Sequence, residues 1–375
     1  MKKQFLLFLL LLAFLPWNSH AQRSYANRTG HAFMQRYADP STIHWLGDKN
    51  YFSWQSGYVM MAMEKLWKQT GRQEYLDYIQ RFLSLTVDAD GNVPLFTAGN
   101  LDNFAPGQAI LFMYEQTGDE RYAKAAERIR RGFDDYPRLP NQMFYHGRGT
   151  PQAWVDGVFM GQIFMARYAK TMNHPEDFAE VVRQITGIVS LCDTGNGLLR
   201  HMWDKNGPSA CVWSEGMGWV AVLLADVFDY LPADYPGADK VLKALQRMCQ
   251  GLKECQDQQT GMWCQVVDQP QAPGNWNETS GTGMFIYLLQ KAILRGFIPS
   301  DEFQPVVDRA YQGILKKAAV NADGFINLLD CSSIGVKRDY NEYISQPREI
   351  STFAAYASFI LGTGIVENKD KKAAP

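Results

Sequence analysis

PQAWVDGVFMGQIFMARYA (Pro151–Ala169) sets a Trp-Val-Asp-Gly quartet in front of a run that is apolar on almost every side of a helical wheel. A surface helix shows one apolar stripe and one wet face. This segment has no wet face, so it predicts a helix buried on several sides, with the carboxylate of Asp156 at its mouth. The segment after it, Glu176 to Cys192, has mixed character and reads as an outer partner with one face in water.

The same unit recurs along the chain: a loop with Gly and Trp or Asn, an apolar helix, a short turn, then a mixed helix. Copies start at Trp54, Asn103, Trp154, Trp213, Asn277 and Glu349, and the interval widens steadily. The first two share a Thr-Gly turn between their helices (Thr70-Gly71 and Thr117-Gly118). The sixth lacks a partner downstream and finds one in the N-terminal helix around Arg28 to Tyr37. Internal repetition of helical hairpins indicates an all-α repeat architecture. An open superhelix would leave a polar concave face on the inner helices, which these sequences lack. Two concentric rings suit both helix types, so the expected fold is an (α/α)6 barrel of six helical hairpins, forming one domain over residues 22–366. Residues 367–375, ending in NKDKKAAP, read as a disordered tail.

Residues 1–21 stand apart. Lys2 and Lys3 precede an apolar run from Phe5 to Leu15 and a small-x-small site at Ser19-His20-Ala21, the pattern of a secretory signal peptide. The expected location is the periplasm, with no membrane contact after cleavage and a monomeric mature chain. A net charge of -2 provides no electrostatic reason to bind nucleic acid. The six cysteines show no CxxC and no Cys/His spacing, so neither a metal nor another cofactor is expected. Export would permit disulfides, yet most of these cysteines sit in apolar helical contexts that suit buried free thiols.

In such a barrel the loops entering the inner helices gather at one end, and there the sequence concentrates Trp54, Asp102, Asn103, Trp154, Asp156, Trp213, Trp219, Trp276 and Asn277. Indole faces stack on the C–H faces of a sugar while carboxylates and amides meet its hydroxyls. Any one Trp is readily explained as core, and an Asp at a helix start as a cap. A recurring loop position bearing Trp, with carboxylates opening adjacent inner helices, is instead the pattern for acid and base work on a glycoside or related bond.

The segments NLDNFAPGQAILFMYEQTGDERY, QMFYHGRGTPQAWVDGVFMGQIFMARYA, WSEGMGW, NWNETSGTGMFIYLLQKAILRGFI and YNEYISQPREISTFAAYASFIL resemble, in order, the bacterial unsaturated rhamnogalacturonyl hydrolases of glycoside hydrolase family 105, related to the family 88 unsaturated glucuronyl hydrolases. The resemblance implies an (α/α)6 barrel and a metal-free, exo-acting enzyme. Its partner is an oligosaccharide carrying the 4,5-unsaturated uronic acid that a polysaccharide lyase leaves at a non-reducing end. It further implies Asp156 as general acid/base, Asp102 as second carboxylate, His146 and His201 as pocket histidines, and Trp213 and Trp219 as aromatic wall, with Trp54 and Trp154 beside them.

The chain departs from that family where Trp213-Ser-Glu-Gly-Met-Gly-Trp219 stands in place of Trp-Ala-Arg-Gly-Asn-Gly-Trp. Glu215 would repel a uronate that an Arg would hold. The expected replacement cation is Arg148 in YHGRG, with Arg200 next in line. A carboxyl in an apolar, Trp-lined mouth is expected to have its pKa raised by desolvation, which suits Asp156 to proton donation. An inverting glycosidase acting on saturated sugars, a non-catalytic glycan-binding protein and an epimerase using His146 with His201 are the rival readings.

Overall fold

The computed structural model describes residues 24–44, 49–322, 325–333, 335–337 and 339–369. Among these, twelve long helices alternate in character: α1 (Tyr25–Arg36), α2 (Trp54–Thr70), α3 (Gln73–Thr86), α4 (Gly107–Thr117), α5 (Glu120–Arg131), α6 (Val155–Thr171), α7 (Phe178–Cys192), α8 (Ser214–Val227), α9 (Ala238–Cys255), α10 (Thr279–Leu294), α11 (Ser300–Leu315) and α12 (Phe353–Glu367). The even-numbered helices are the apolar ones. Every residue of α6 is buried except Asp156, Lys170 and Thr171, and α8 is buried throughout. The odd-numbered helices bury a stripe. In α5 it is Tyr122, Ala123, Ala125, Ala126 and Ile129, with Arg128 and Arg131 in water.

Packing follows from that division. The even helices contact one another in the order α2, α4, α6, α8, α10, α12 and back to α2, a closed inner ring; each odd helix packs on its even partner, α1 on α12. The (α/α)6 barrel read from the repeats is therefore the fold. A helix with no wet face must be covered on all sides, and a ring sheathed by a second ring does this. The Thr-Gly turns work as read: Gly71 and Gly118 end α2 and α4 in the left-handed region, at φ 67° and 66°.

Two expectations need correction. The tail does not begin at residue 367: Glu367 closes α12 and accepts hydrogen bonds from Tyr25 N (2.8 Å), Ser24 Oγ and Tyr311 OH. It clasps the first and last helices because the charged carboxylate meets the open N–H groups at the start of α1. The inner helix of the sixth hairpin begins at Phe353, four residues after Glu349, since Thr352 supplies the capping hydroxyl to Ala355 N. The expected signal peptide, residues 1–21, and residues 370–375 lie outside the described residues.

Short antiparallel pairs brace the loops at one end. Trp154 pairs with Met202, Trp203 with Pro208, and Trp263 with Glu278. At the other end, where the inner helices finish, buried charges fill the bore. Arg167, 1 % exposed, donates to Glu64 (2.8 Å) and Glu115 (2.5 and 3.0 Å), while Asp226 receives Lys65 (2.8 Å) and Lys291 (2.5 Å). Burial alone would lift the Glu64 carboxyl, yet the charges of Arg167 and Lys68 hold it at about 2. A cavity of about 730 Å³ opens there among Lys65, Lys68, Glu115, Arg167 and Asp229, with these cations already engaged by carboxylates. Among the described residues all six cysteines are unpaired, no helix is long and apolar enough to cross a membrane, and no His/Cys/Asp/Glu group is placed to hold a metal.

Candidate active site

The N-terminal ends of the inner helices surround a cavity of about 220 Å³ lined by Trp54, Asp102, His146, Trp154, Asp156, Met160, His201, Trp213, Glu215, Trp219 and Gly335. It is smaller than the cavity at the far end, but it holds the unusual side chains. Nine of the residues singled out in the sequence converge here from five separate segments, while Asn103, Arg148, Arg200, Trp276 and Asn277 lie outside the lining.

Asp156 sits in the first turn of α6, where the helix dipole favours a negative charge. Gly157 behind it has a spatial reason: a Cβ there would lie 2.8 Å from His146 Nδ1 and 3.0 Å from Leu101 Cδ1, so only glycine lets the His146 loop close over the helix. The His146 ring stacks on Trp154 at 4.2 Å and 4° between planes, with Nε2 at 3.8 Å from Asp102 Oδ1. Asp102 lies in a single 3-10 turn, Leu101–Asn103, tied to this loop by Leu101 N donating to His146 O (2.9 Å). Its side chain keeps 20 % of its surface. Burial raises the Asp102 carboxyl above the usual range; His146 opposes the shift and the Asp156 charge adds to it.

His201 is fully buried and does two things at once. Its Nε2 is 2.7 Å from Asp156 Oδ2 and its Nδ1 is 3.1 Å from Tyr343 OH, in the short helix Tyr340–Ile344. Its backbone carbonyl accepts Val155 N at the start of α6 (3.0 Å), which locks ring and carboxylate into one frame. The Asp156 carboxylate thus has a ring nitrogen as its close partner.

The aromatic wall has two stretches, one around Trp213 and one around Trp219. Trp213 tilts against His201 at 4.6 Å and donates Nε1 to Ser332 Oγ (2.8 Å); Trp219 packs between Trp54 (5.5 Å) and Tyr58 (4.6 Å). Trp276 is elsewhere, under the Arg348 guanidinium at 5.2 Å.

Arg148 does not reach the cavity. Its guanidinium donates to Ala98 O and Asp135 Oδ1 (3.0 Å) and covers the Tyr136 ring at 5.0 Å. A carbonyl and a carboxylate on the neighbouring loop satisfy it first. Arg200 also lies outside the lining, near Cys192, Cys211 and Asp268. The loop bearing the lining residue Gly335 also carries a cation that the sequence reading passed over: Lys337 Nζ lies 3.7 Å from where a Gly335 side chain would begin. Tyr343, Ser280 and Glu278 were missed as well. Glu278 was visible as the capping acid of NETSG, three residues ahead of the glycine whose N–H it binds with Oε2 once the chain is helical.

Glu215 is 2 % exposed, and Ser280 Oγ lies 2.7 Å from its Oε2. Burial pushes its carboxyl well above the ordinary range, and the neighbouring Glu278 pushes it further. Burial raises Glu278 too, against lowering by Ser280, Gly281 and Ser332.

Comparison with known proteins bears on the fold and the family. An unsaturated rhamnogalacturonyl hydrolase of Bacillus subtilis is 25 % identical over 230 residues, 58 % of this chain and 65 % of the relative. An unsaturated 3S-rhamnoglycuronyl hydrolase of an Alteromonas strain is 24 % identical over 244 residues, 60 % of this chain and 58 % of the relative. The matched part thus spans less than two thirds of either relative's length. A family 105 glycoside hydrolase of C. acetobutylicum superposes with a TM-score of 0.84 at 25 % identity, covering 92 % of this chain and 99 % of that one. The family described as Glycosyl Hydrolase Family 88 matches residues 25–365. On a match that runs from the start of α1 into the last turn of α12, the chain belongs to Glycosyl Hydrolase Family 88.

Proposed function

We propose that this chain is an exo-acting hydrolase that removes a 4,5-unsaturated uronic acid from the non-reducing end of lyase-generated oligosaccharides, pectic rhamnogalacturonan fragments foremost. The observation that carries this reading is Asp156, bonded to buried His201 and sharing one Trp-walled cavity with Asp102.

The chemistry follows from the substrate. Its C4=C5 bond belongs to a vinyl ether, so an acid that delivers a proton to C4 leaves a cation shared between C5 and the ring oxygen. Asp156 is the donor and His201 the group that resupplies its proton. Water, deprotonated by a neighbouring carboxylate, adds at C5. The hemiketal at C5 opens to a ketone, the exposed C1 hemiacetal releases the sugar alcohol, and the net change is addition of one water. Bond loss at C1 thereby needs no direct attack there. The indoles hold the sugar ring and keep bulk water from the cation. Lys337, two residues after the lining residue Gly335, is the candidate cation for the uronate.

Loss of the ultraviolet band of the conjugated enol ether, on a lyase-generated pectic digest, tests the reading. Wild-type protein should bleach it. If every unsaturated uronide is left intact and a saturated glycoside is cleaved, the chain is an ordinary glycosidase. For the mature chain we propose export to the periplasm and a monomeric state; the basic, apolar and small-residue succession of residues 1–21 supports export.

A further inference from the structure

Ser280 Oγ is within hydrogen-bond distance of two carboxyl oxygens, Glu215 Oε2 at 2.7 Å and Glu278 Oε1. A serine hydroxyl has one proton, so it can donate to only one of them. The other contact must be donated by the carboxyl itself. Glu278 is not that donor. Its Oε1 already accepts Ser280 N (2.7 Å) and Ser332 N (3.0 Å), its Oε2 accepts Gly281 N (2.6 Å), and it stands at the N-terminus of α10. Three N–H groups and a helix dipole hold it as the carboxylate. The proton therefore sits on Glu215 Oε2 and points at Ser280 Oγ, whose own proton points at Glu278.

We propose that Glu215 stands in the cavity as an uncharged acid, handing its proton through Ser280 toward Glu278, and that this neutrality admits a sugar carboxylate which an ionised Glu215 would repel. The second clause rests on the uronyl hydrolase reading above. Glu215 lines the cavity while Ser280 and Glu278 do not, so the row runs from the substrate space into the protein. The titratable groups that act on Glu215 are Glu278 ahead of α10, Asp156 on α6, Tyr58 on α2 and Cys331 in the loop before α12, none of them a cation; His201, the imidazole that packs beside Gly216 in the same cavity, has both ring nitrogens taken up by Asp156 and Tyr343. Glu215 in place of a cation is thus a silent partner. It is a specificity-determining residue: its uncharged carbonyl can accept a hydroxyl of the sugar without opposing the uronate that Lys337 would hold.

The test has two arms. Infrared difference spectra of wild type against Glu215→Gln at pH 7 should show a protonated-carboxyl C=O band in wild type that the variant lacks; a difference in carboxylate bands alone overturns the proposal. This arm needs no substrate. The second arm compares KM across pH for an unsaturated uronide and its methyl ester. As Glu215 ionises, KM should rise for the uronide by up to roughly a hundredfold, the cost of like charges sharing a site of effective dielectric about 20, and stay level for the ester. Ser280→Ala removes the acceptor of the Glu215 proton and should move that rise to lower pH. A move to higher pH would mean that Ser280 donates to an ionised Glu215, which also overturns it. A protonated band in a protein that ignores every unsaturated uronide would refute the uronyl reading and leave the proton row standing.

Discussion

Replacing Asp156 with Asn changes one thing at the centre of the cavity. The amide fills the same space in the first turn of α6 and can still bond His201 Nε2, now 2.7 Å from Asp156 Oδ2, but it has no proton to give to carbon. General acid catalysis contributes typically 10² to 10⁴, so kcat should fall by that factor, which is about 2.7 to 5.5 kcal/mol at 1.36 kcal/mol per tenfold. The cost in stability is separate and smaller. Loss of a charge in the first turn of α6 costs about 0.3 to 1 kcal/mol, and weakening one hydrogen bond about 1 kcal/mol. For a chain of this size the melting temperature should therefore drop by no more than about 8 °C. The assay is the rate of bleaching of the enol ether band, with thermal melts of both proteins beside it. Activity above about a tenth of wild type, in a variant that melts normally, would remove Asp156 from the acid role. A large loss accompanied by a collapsed melt would show a structural part for the residue, and would leave the acid unassigned.

Lys337→Ala should raise KM on an unsaturated uronide by about ten- to a hundredfold, as loss of a charge-assisted hydrogen bond does, with a smaller effect on kcat; Arg148→Ala should leave kcat/KM within about threefold, because that guanidinium is spent on Asp135 and Ala98. The reverse outcome would return the uronate to the YHGRG loop. Glu215 has a folded pKa raised above its unfolded value by burial. Its contribution to stability is then complete below about pH 4.5 and is lost as pH rises toward the folded pKa. Glu215→Gln should accordingly gain in melting temperature relative to wild type as pH is raised from 4 to 8, and an unchanging difference would count against a raised pKa. Arg167→Ala strands Glu64 and Glu115 at the far end of the barrel and should destabilise the fold by about 3 to 5 kcal/mol in denaturant titrations, while kcat of the folded fraction stays unchanged.

Much of the fold was legible because its determinants are local. Whether a helix is apolar all round or on one stripe is written within its own residues, as in α6 against α5. Six such pairs leave few arrangements other than a double ring. The Trp and Asp residues at the inner helix starts were legible for a related reason: topology alone delivers every inner N-terminus to the same end. Direction and partnership were not legible. Arg148 sits near Asp156 in the chain, yet its guanidinium turns to Asp135 on a neighbouring loop. His201 is coupled to Tyr343 across 142 positions, and Glu215 to Ser280 across 65. A side chain's charge state and aim depend on which distant donor or acceptor satisfies it once water has gone, and that choice is made only when the rings close. The sequence by itself thus determined the double ring of helices and the end at which its polar and aromatic residues gather. The tertiary structure decided which of them face the cavity, which carry a proton, and which, like Glu367, hold the barrel shut.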